Sequence, residues 1–396
     1  MRHTLLLVLL AALQKCSGLH SSPAAFTRSG RPMSALYQSS SMPPMRLVRR
    51  ASIARADAAA ASAAEELPTG VGDAGDEPTA ETAELTGLAG GAQAVYRFSR
   101  PHTIRGTLLA CFTGVGRALY ESPQFLPLLP ALLPRAMLGV LALLLGNLFI
   151  VGINQIYDVD IDVVNKPYLP IAAGRLSPKA AWGIVVGSGV AALAIVKAVF
   201  SPLIFALFAF GTTIGGLYSV PPFKLKRFPL TAGLTIAICR GFLLNFGVYY
   251  ATREALGLAF FWSAPVAFLA RFMTVYAAVI AVTKDLVDVD GDRKGGIDTL
   301  ASRFGPGKVA VGASAVLLLN YVGAIATAVA APAGAFRRVF MAGGHALAAA
   351  YLVYGSAKHL SAMGEGAEPT ENSLKAYYSN VVWNLFYFEY AMYPFI

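Results

Sequence analysis

Two aspartate-rich stretches concentrate the potential chemistry of the chain. The first reads Asn154-Gln-Ile-Tyr-Asp158-Val-Asp160-Ile-Asp162, the second Lys284-Asp285-Leu-Val-Asp288-Val-Asp290-Gly-Asp292-Arg293. On a helix, Asn154, Asp158 and Asp162 stand at i, i+4, i+8 and share a face; Asp285, Asp288 and Asp292 at i, i+3, i+7 do the same. Asp160 and Asp290 point elsewhere. Asp158 and Asp288 are as far apart in sequence as Asp162 and Asp292, which suggests a pseudo-repeat. Carboxylates gathered this way repel, so something cationic must bind between them. Mg²⁺ suits hard oxygen ligands and takes one or two carboxylates together with substrate phosphates.

Other readings compete. The acids could form a solvated rim, although two matched clusters fit that reading poorly. A calcium loop is excluded by Arg293 and Thr299, which stand where Gly and a bidentate Glu are required; Val163 breaks the first stretch likewise. A proton relay needs acids within the hydrocarbon layer, not at its edge. Basic and hydroxyl groups follow in Tyr218-Ser219-Val-Pro-Pro-Phe-Lys224-Leu-Lys226-Arg227. A diphosphate carries charge beyond what Mg²⁺ covers, and Lys224, Lys226 or Arg227 could meet the remainder, with Tyr218 and Ser219 donating hydrogen bonds. Ordinary loop lysines are the alternative for each.

The elements that must position these groups are apolar. Of 396 residues 56% are hydrophobic and 14% charged, with a net charge of +10 and a mean hydropathy of +0.57. Soluble domains carry about 25% charged residues, so much of this chain expects lipid. The basic excess then orients loops, and nucleic-acid binding is excluded as its purpose. A span needs about 20 apolar residues, and such runs fall near 103–120, 134–157, 179–199, 202–219, 229–250, 262–284, 309–330, 337–356 and 376–395. The expected fold is all-α integral membrane, with nine transmembrane helices (eight as the alternative) around a central cavity. Arg105, Arg117 and Glu389 interrupt the first and last runs. Both aspartate stretches end even-numbered spans, on the side where loops hold Lys166, Arg175, Lys179, Lys224, Lys226, Arg227, Arg293, Lys294, Arg303 and Lys308. That side should face the cytosol, or the stroma of a plastid. Arg240 lies deep in the fifth span, where an unpaired charge is costly; it should face the cavity and meet a carboxylate or the acid group of a substrate. Cys16, Cys111 and Cys239 form no CxxC pair or Cys/His cluster, so structural zinc and thiol chemistry are not expected.

The N-terminal part reads as a leader. Residues 1–25 hold a basic start and the short apolar run Leu5 to Leu13, the pattern of a signal peptide. Residues 26–55 are rich in Arg, Ser and Ala without an acid, which is transit-peptide-like, with Ala25-Phe26 as a cleavage candidate. A simple secretory leader with a disordered arm is the other reading. Residues 56–95 are acidic and rich in Ala, Gly and Thr, hence an expected disordered linker before a membrane domain at 96–396.

The paired motifs closely resemble the UbiA superfamily of intramembrane aromatic prenyltransferases over about residues 96–396. The N-x-x-x-D-x-x-x-D motif is Asn154, Asp158 and Asp162; the second Asp-rich motif is Asp285, Asp288 and Asp292. The stretch 154–170, the lead-in Arg100-Pro-His-Thr-Ile104, and the stretches 218–229 and 240–252 are similar to the homogentisate prenyltransferase branch, the last two to its solanesyl-transferring members. Val287 and Asp290 depart from the residues common there, off the expected metal-binding face. The resemblance implies Mg²⁺ held by Asp158, Asp162, Asp288 and Asp292 as the catalytic carboxylates. It also implies substrate contacts from Asn154, Tyr218, Ser219, Lys224, Arg240, Lys284, Asp285 and Arg293. The implied partners are a prenyl diphosphate, homogentisate and the lipid bilayer, with no nucleic acid and no required protein partner. The implied setting is a plastid membrane, the leader pointing to an alga with a secondary plastid. Phytyl transfer is the near rival. A membrane transporter is the rival from another class; it would place acids deep within spans.

Overall fold

The computed structural model describes residues 87–362 and 367–396; the leader segments and most of the linker lie outside them. Every regular element among the described residues is helical. Backbone groups in hydrocarbon must be satisfied within their own segment, and helices do this.

Helix α1, Gly87–Phe98, begins earlier than the expected domain start at Tyr96. Ala94 and Phe98, one turn apart, are both buried, and Phe98 packs with Ile153 and Val185. Those two apolar anchors draw part of the expected linker into the folded domain. Next come α2 (Pro101–Tyr120), α3 (Leu129–Tyr157), the short α4 (Val159–Asn165), α5 (Pro178–Val199) and α6 (Pro202–Leu217). Helix α7 (Pro229–Ile236) runs through a π-helical stretch, Ala237–Leu243, into α8 (Leu244–Ala255).

Helix α9 (Ala264–Thr283) leads by a 3₁₀ turn to the short α10 (Val289–Lys294) and α11 (Leu300–Phe304). Helix α12 (Pro306–Ala330) packs on α9, and α13 (Arg338–Leu360) packs on α12. The last segment is α14 (Glu371–Ala376), a second π-helical stretch (Tyr377–Trp383) and α15 (Asn384–Met392). Several helices begin with Pro at the first turn, where its missing N–H costs nothing. Ser177 and Ser263 cap α5 and α9 through their side-chain oxygens.

Six segments among the described residues are long and apolar enough to cross a bilayer: Pro123–Tyr157, Pro178–Val199, Pro229–Ala255, Ala264–Leu286, Pro306–Ala330 and Arg338–Leu360. Pro202–Leu217 is apolar but shorter. The expected count of nine is therefore not established. Helix α2 carries Arg105 and Arg117, and the C-terminal segment is cut by its π-helical stretch. The main core gathers α9, α12, α13 and the C-terminal segment, with Phe272, Met273, Tyr276, Leu317, Tyr321, Met341 and Tyr377 essentially inaccessible.

Inside that core His345 of α13 meets Glu389 of α15. Both are fully buried, with Nε2 to Oε1 at 3.2 Å, while Nδ1 hydrogen-bonds the Met341 carbonyl at 2.6 Å. A glutamate that interrupts the last apolar run in sequence thus has a partner from the neighbouring helix.

Candidate active site

Neither aspartate stretch lies on one unbroken helix. Helix α3 stops at Asp158 (φ −111°, ψ 14°) and α4 starts after it. The 3₁₀ turn after α9 stops before Asp288 (φ −98°, ψ 6°), and α10 starts after it. Both aspartates thus occupy the sparsely populated bridge region of backbone space, at matched breaks. The helical-face expectation is corrected in detail, and its outcome survives. Asp158, Asp162, Asp285, Asp288 and Asp292 are buried, whereas Asp160 and Asp290 are exposed.

The two breaks come together because α4 lies against α10. Asn165 Nδ2 donates to the Asp288 carbonyl at 3.0 Å, and Asn165 Oδ1 accepts from the Gly291 amide at 3.0 Å. Gly291 is needed there, since a Cβ would collide with the Asn165 side chain; at Gly295 it would collide with Ile161. The two motifs therefore share one site on one side of the bundle.

Lysines bridge it. Lys166 Nζ lies 2.5 Å from Asp288 Oδ2, and its charge also acts on Asp162, Asp285 and Asp292. Buried Lys226 pairs with Asp158. Asn154 Nδ2 donates to Asp158 Oδ2 at 2.8 Å and to Ser219 Oγ at 3.0 Å. Lys284 pairs with Asp285, and Tyr218 lies beside that pair. Arg100 adds positive charge near Asp162. Arg100 and Lys224 are the non-glycine residues with left-handed backbones among those described, at φ 51° and 36°. Two basic residues held in strained conformations flank the carboxylates, the kind of strain that gathers at binding sites. Lys224 is close enough for its charge to act on Lys226.

Burial pushes the Asp162 carboxyl up to about 6, against the opposing charges of Arg100 and Lys166. Burial, reinforced by the charge of Asp285, pushes Asp292 up to about 7. Lys226 is lowered by burial, which outweighs the attraction of Asp158.

The donor set fits a hard divalent cation. Asp158 Oδ1 and Asp162 Oδ2 are buried with no hydrogen-bond partner, and such orphaned oxygens are what a cation would satisfy. Among the described residues no three carboxylate, histidine or cysteine side chains already form a metal cage. Mg²⁺ typically binds one or two carboxylates and lets phosphates supply the rest.

Arg293 stands apart from the expected site, and Arg240 lines the cavity. Arg293 is exposed and donates to the Ser302 carbonyl at 3.0 Å, drawn away by the turn into α11. Arg240 has no carboxylate partner among the described residues; it donates to Asn147 Oδ1 at 2.7 Å and to the Thr103 carbonyl at 3.5 Å. Lys166 and Arg100 were not singled out from sequence, because a lysine in a loop and an arginine before a helix look like orienting charges. The signal that could have found Lys166 is its place four residues beyond Asp162, on the face already assigned to the carboxylates.

Behind the site lies an apolar cavity of about 610 Å³ between α2, α3, α5, α6 and the α7–α8 segment. Along α3 it follows Leu129, Leu133, Ala136, Val140, Leu143, Asn147 and Ile150, one helical face. Asn154 and Asp158 continue that face at intervals of four residues, although no aspartate lines the cavity. From Leu129 to Ile150 the stripe runs about 30 Å at 1.5 Å per residue. Exposed Leu108 and Phe112 on α2, and Leu133 and Met137 on α3, also line it, so it borders the lipid-facing surface.

Comparison with known proteins fits this architecture. Residues 107–368 match the UbiA prenyltransferase family. Homogentisate solanesyltransferase of Arabidopsis thaliana is 49% identical over 303 residues, 76% of each chain. Probable homogentisate phytyltransferase 2 of Oryza sativa is 47% identical over 94% of this chain and 96% of its own. A UbiA homologue from Archaeoglobus fulgidus, solved bound to GPP and Mg²⁺, covers 76% of this chain and 99% of its own with a TM-score of 0.51 at 18% identity, which speaks to the fold alone. Matched aspartate breaks on an all-helical apolar bundle, and sequence identity close to one half, lead to one assignment: the chain belongs to the UbiA prenyltransferase family and is a prenyltransferase.

Proposed function

We propose that this enzyme transfers a long prenyl group, solanesyl in the first instance, from its diphosphate to homogentisate with loss of CO₂, in a plastid membrane. The observation that carries this reading is the meeting of the two aspartate breaks across Asn165 and Lys166, at the end of the apolar stripe on α3. The names of the two relatives supply homogentisate and the chloroplast.

Asp158, Asp162, Asp288 and Asp292 would hold Mg²⁺, with Asn154 fixing the Asp158 carboxylate. When bound, Mg²⁺ supplies positive charge that stabilises the departing diphosphate. Lys166, Lys226 and Lys224 bring ammonium groups to the same space, and Tyr218 and Ser219 bring hydroxyls. The prenyl C–O bond breaks with its electron pair going to the diphosphate. The electron-rich ring carbon then bonds the allylic carbon and releases its proton; CO₂ leaves the side chain, whose benzylic carbon takes up a proton. The apolar cavity holds the tail and keeps water from the allylic cation. The lysine- and arginine-bearing loops at this end of the bundle support a site that faces the stroma, by the positive-inside rule.

The test is an assay in lipid vesicles with labelled homogentisate and, separately, solanesyl, phytyl and geranylgeranyl diphosphate, with and without Mg²⁺. Mg²⁺-dependent transfer that is fastest with the solanesyl donor is expected. Preference for phytyl would move the enzyme to the neighbouring activity. No transfer to homogentisate from any donor would overturn the reading.

A further inference from the structure

Arg240 poses a separate question. It projects from a π-helical stretch inside a membrane-spanning segment, and π-helical turns recur at functional sites. The stretch is pinned from both sides. Asn245 donates to the carbonyls of Arg240 and Gly241 at 3.3 and 2.8 Å. A Cβ at Gly241 would collide with the backbone of Thr274 on α9. The guanidinium is then fixed by Asn147 of α3 and by the Thr103 carbonyl of α2.

Both of those partners are neutral. The titratable groups that act on the Arg240 charge are Tyr390, Cys239, Tyr378 and Tyr387, none of them a carboxylate. Arginine stays protonated, so a full positive charge lines a mainly apolar cavity, whose other charged lining residue, Arg135, lies over the Phe200 ring. Such a charge inside a membrane protein marks a place for an anion. On one side stands an aromatic wall from the second π-helical stretch and α15. In it Trp383 lies 6.1 Å from Tyr378, 5.5 Å from Tyr387 and 5.7 Å from His102, ring centre to ring centre.

Asn147, which holds the guanidinium, precedes Asp158 by eleven residues on α3. That is about 16 Å along the helix axis. The gap accommodates, in line, a diphosphate on the aspartate site, the reacting carbon and one aromatic ring. Its far end would then place a carboxylate at Arg240.

We infer that Arg240, oriented by Asn147 and Thr103, binds the carboxylate of the aromatic acceptor, so that acceptors with an acid side chain are selected here. The diphosphate binds at the aspartate–lysine site and not at Arg240. This inference rests on the proposed use of homogentisate.

The experiment compares the wild-type protein with Arg240→Gln and Arg240→Lys in lipid vesicles. It measures KM separately for donor and acceptor. It also measures thermal stabilisation by homogentisate and by its neutral amide, a binding readout that needs no turnover. In the wild type, homogentisate should stabilise and the amide should not. In Arg240→Gln the acceptor KM should rise about 30-fold, the loss of one charge-assisted pair. The donor KM should stay within about twofold, as for any group that does not touch the diphosphate. That variant should no longer distinguish the amide from the acid, and Arg240→Lys should recover part of the preference. The inference is overturned if Arg240→Gln still prefers the acid, if its donor KM rises as much as its acceptor KM, or if homogentisate fails to stabilise the wild type. Absence of wild-type turnover with every donor would instead count against the proposed reaction, and stabilisation by the acid over the amide would still report on Arg240.

Discussion

At the scale of single residues, the site is a cluster of buried acids balanced by lysines. Asp158→Ala or Asp288→Ala removes the carboxylate that pairs with Lys226 or with Lys166. Each should lower prenyl transfer by about a hundred- to a thousandfold, the scale of losing electrostatic stabilisation of a leaving group, with the protein still folded in membranes. Assays of purified variants check this, and full Mg²⁺-dependent activity in either would refute the metal role. The raised Asp162 and Asp292 carboxyls, at about 6 and about 7, give a pH dependence of definite sign. Their protonated forms hold no cation, so divalent-cation affinity should rise with pH through that interval and level off above it. Titrating Mn²⁺ into detergent-solubilised protein from pH 5.5 to 8.5 measures this, and a flat profile would contradict it. The buried acids were legible in sequence, because spacing alone separated them from exposed Asp160 and Asp290. The neutral partners of Arg240 were not, because Asn147 and Thr103 belong to other helices.

Elements carry the next level of constraint. The i, i+4, i+8 pattern indicated one continuous helix, yet the chain breaks at Asp158 and again at Asp288. Residue spacing cannot report such breaks, since one bridge-region residue changes the helix direction without disturbing the pattern. What joins the motifs is the close approach of α4 and α10 at Gly291. Gly291→Val should push the two helices apart and cut turnover at least about tenfold, with the spans intact. Unchanged turnover would mean that the approach does not position the site. A second expectation concerns His345 and Glu389, which tie α13 to α15. His345→Ala leaves a carboxylate in the core without its partner and should cost about 3–5 kcal/mol. Glu389→Gln keeps the neighbour in hydrogen-bonding reach and should cost less. Thermal unfolding in detergent distinguishes them, and equal losses would show that the pair is not the source of the stability.

For the molecule as a whole, the all-helical apolar design was evident in composition, and the number of membrane crossings was not. Helix α2 and the C-terminal segment hold Arg117 and Glu389, which spoil their apolar runs yet find partners in the fold: Arg117 pairs with Glu121 at 3.0 Å, and Glu389 with His345. Hydropathy counts such charges as exposed. The cavity was expected only in general terms; its course along α3 emerges from a stripe that sequence shows merely as one apolar run among several. The central claim is that both aspartate stretches serve a single diphosphate site. A double-mutant cycle on Mg²⁺-dependent binding of a prenyl diphosphate, with Asp158→Asn, Asp288→Asn and the pair, tests it directly. One shared site predicts that the double variant binds little worse than either single one, whereas losses that simply add would contradict it.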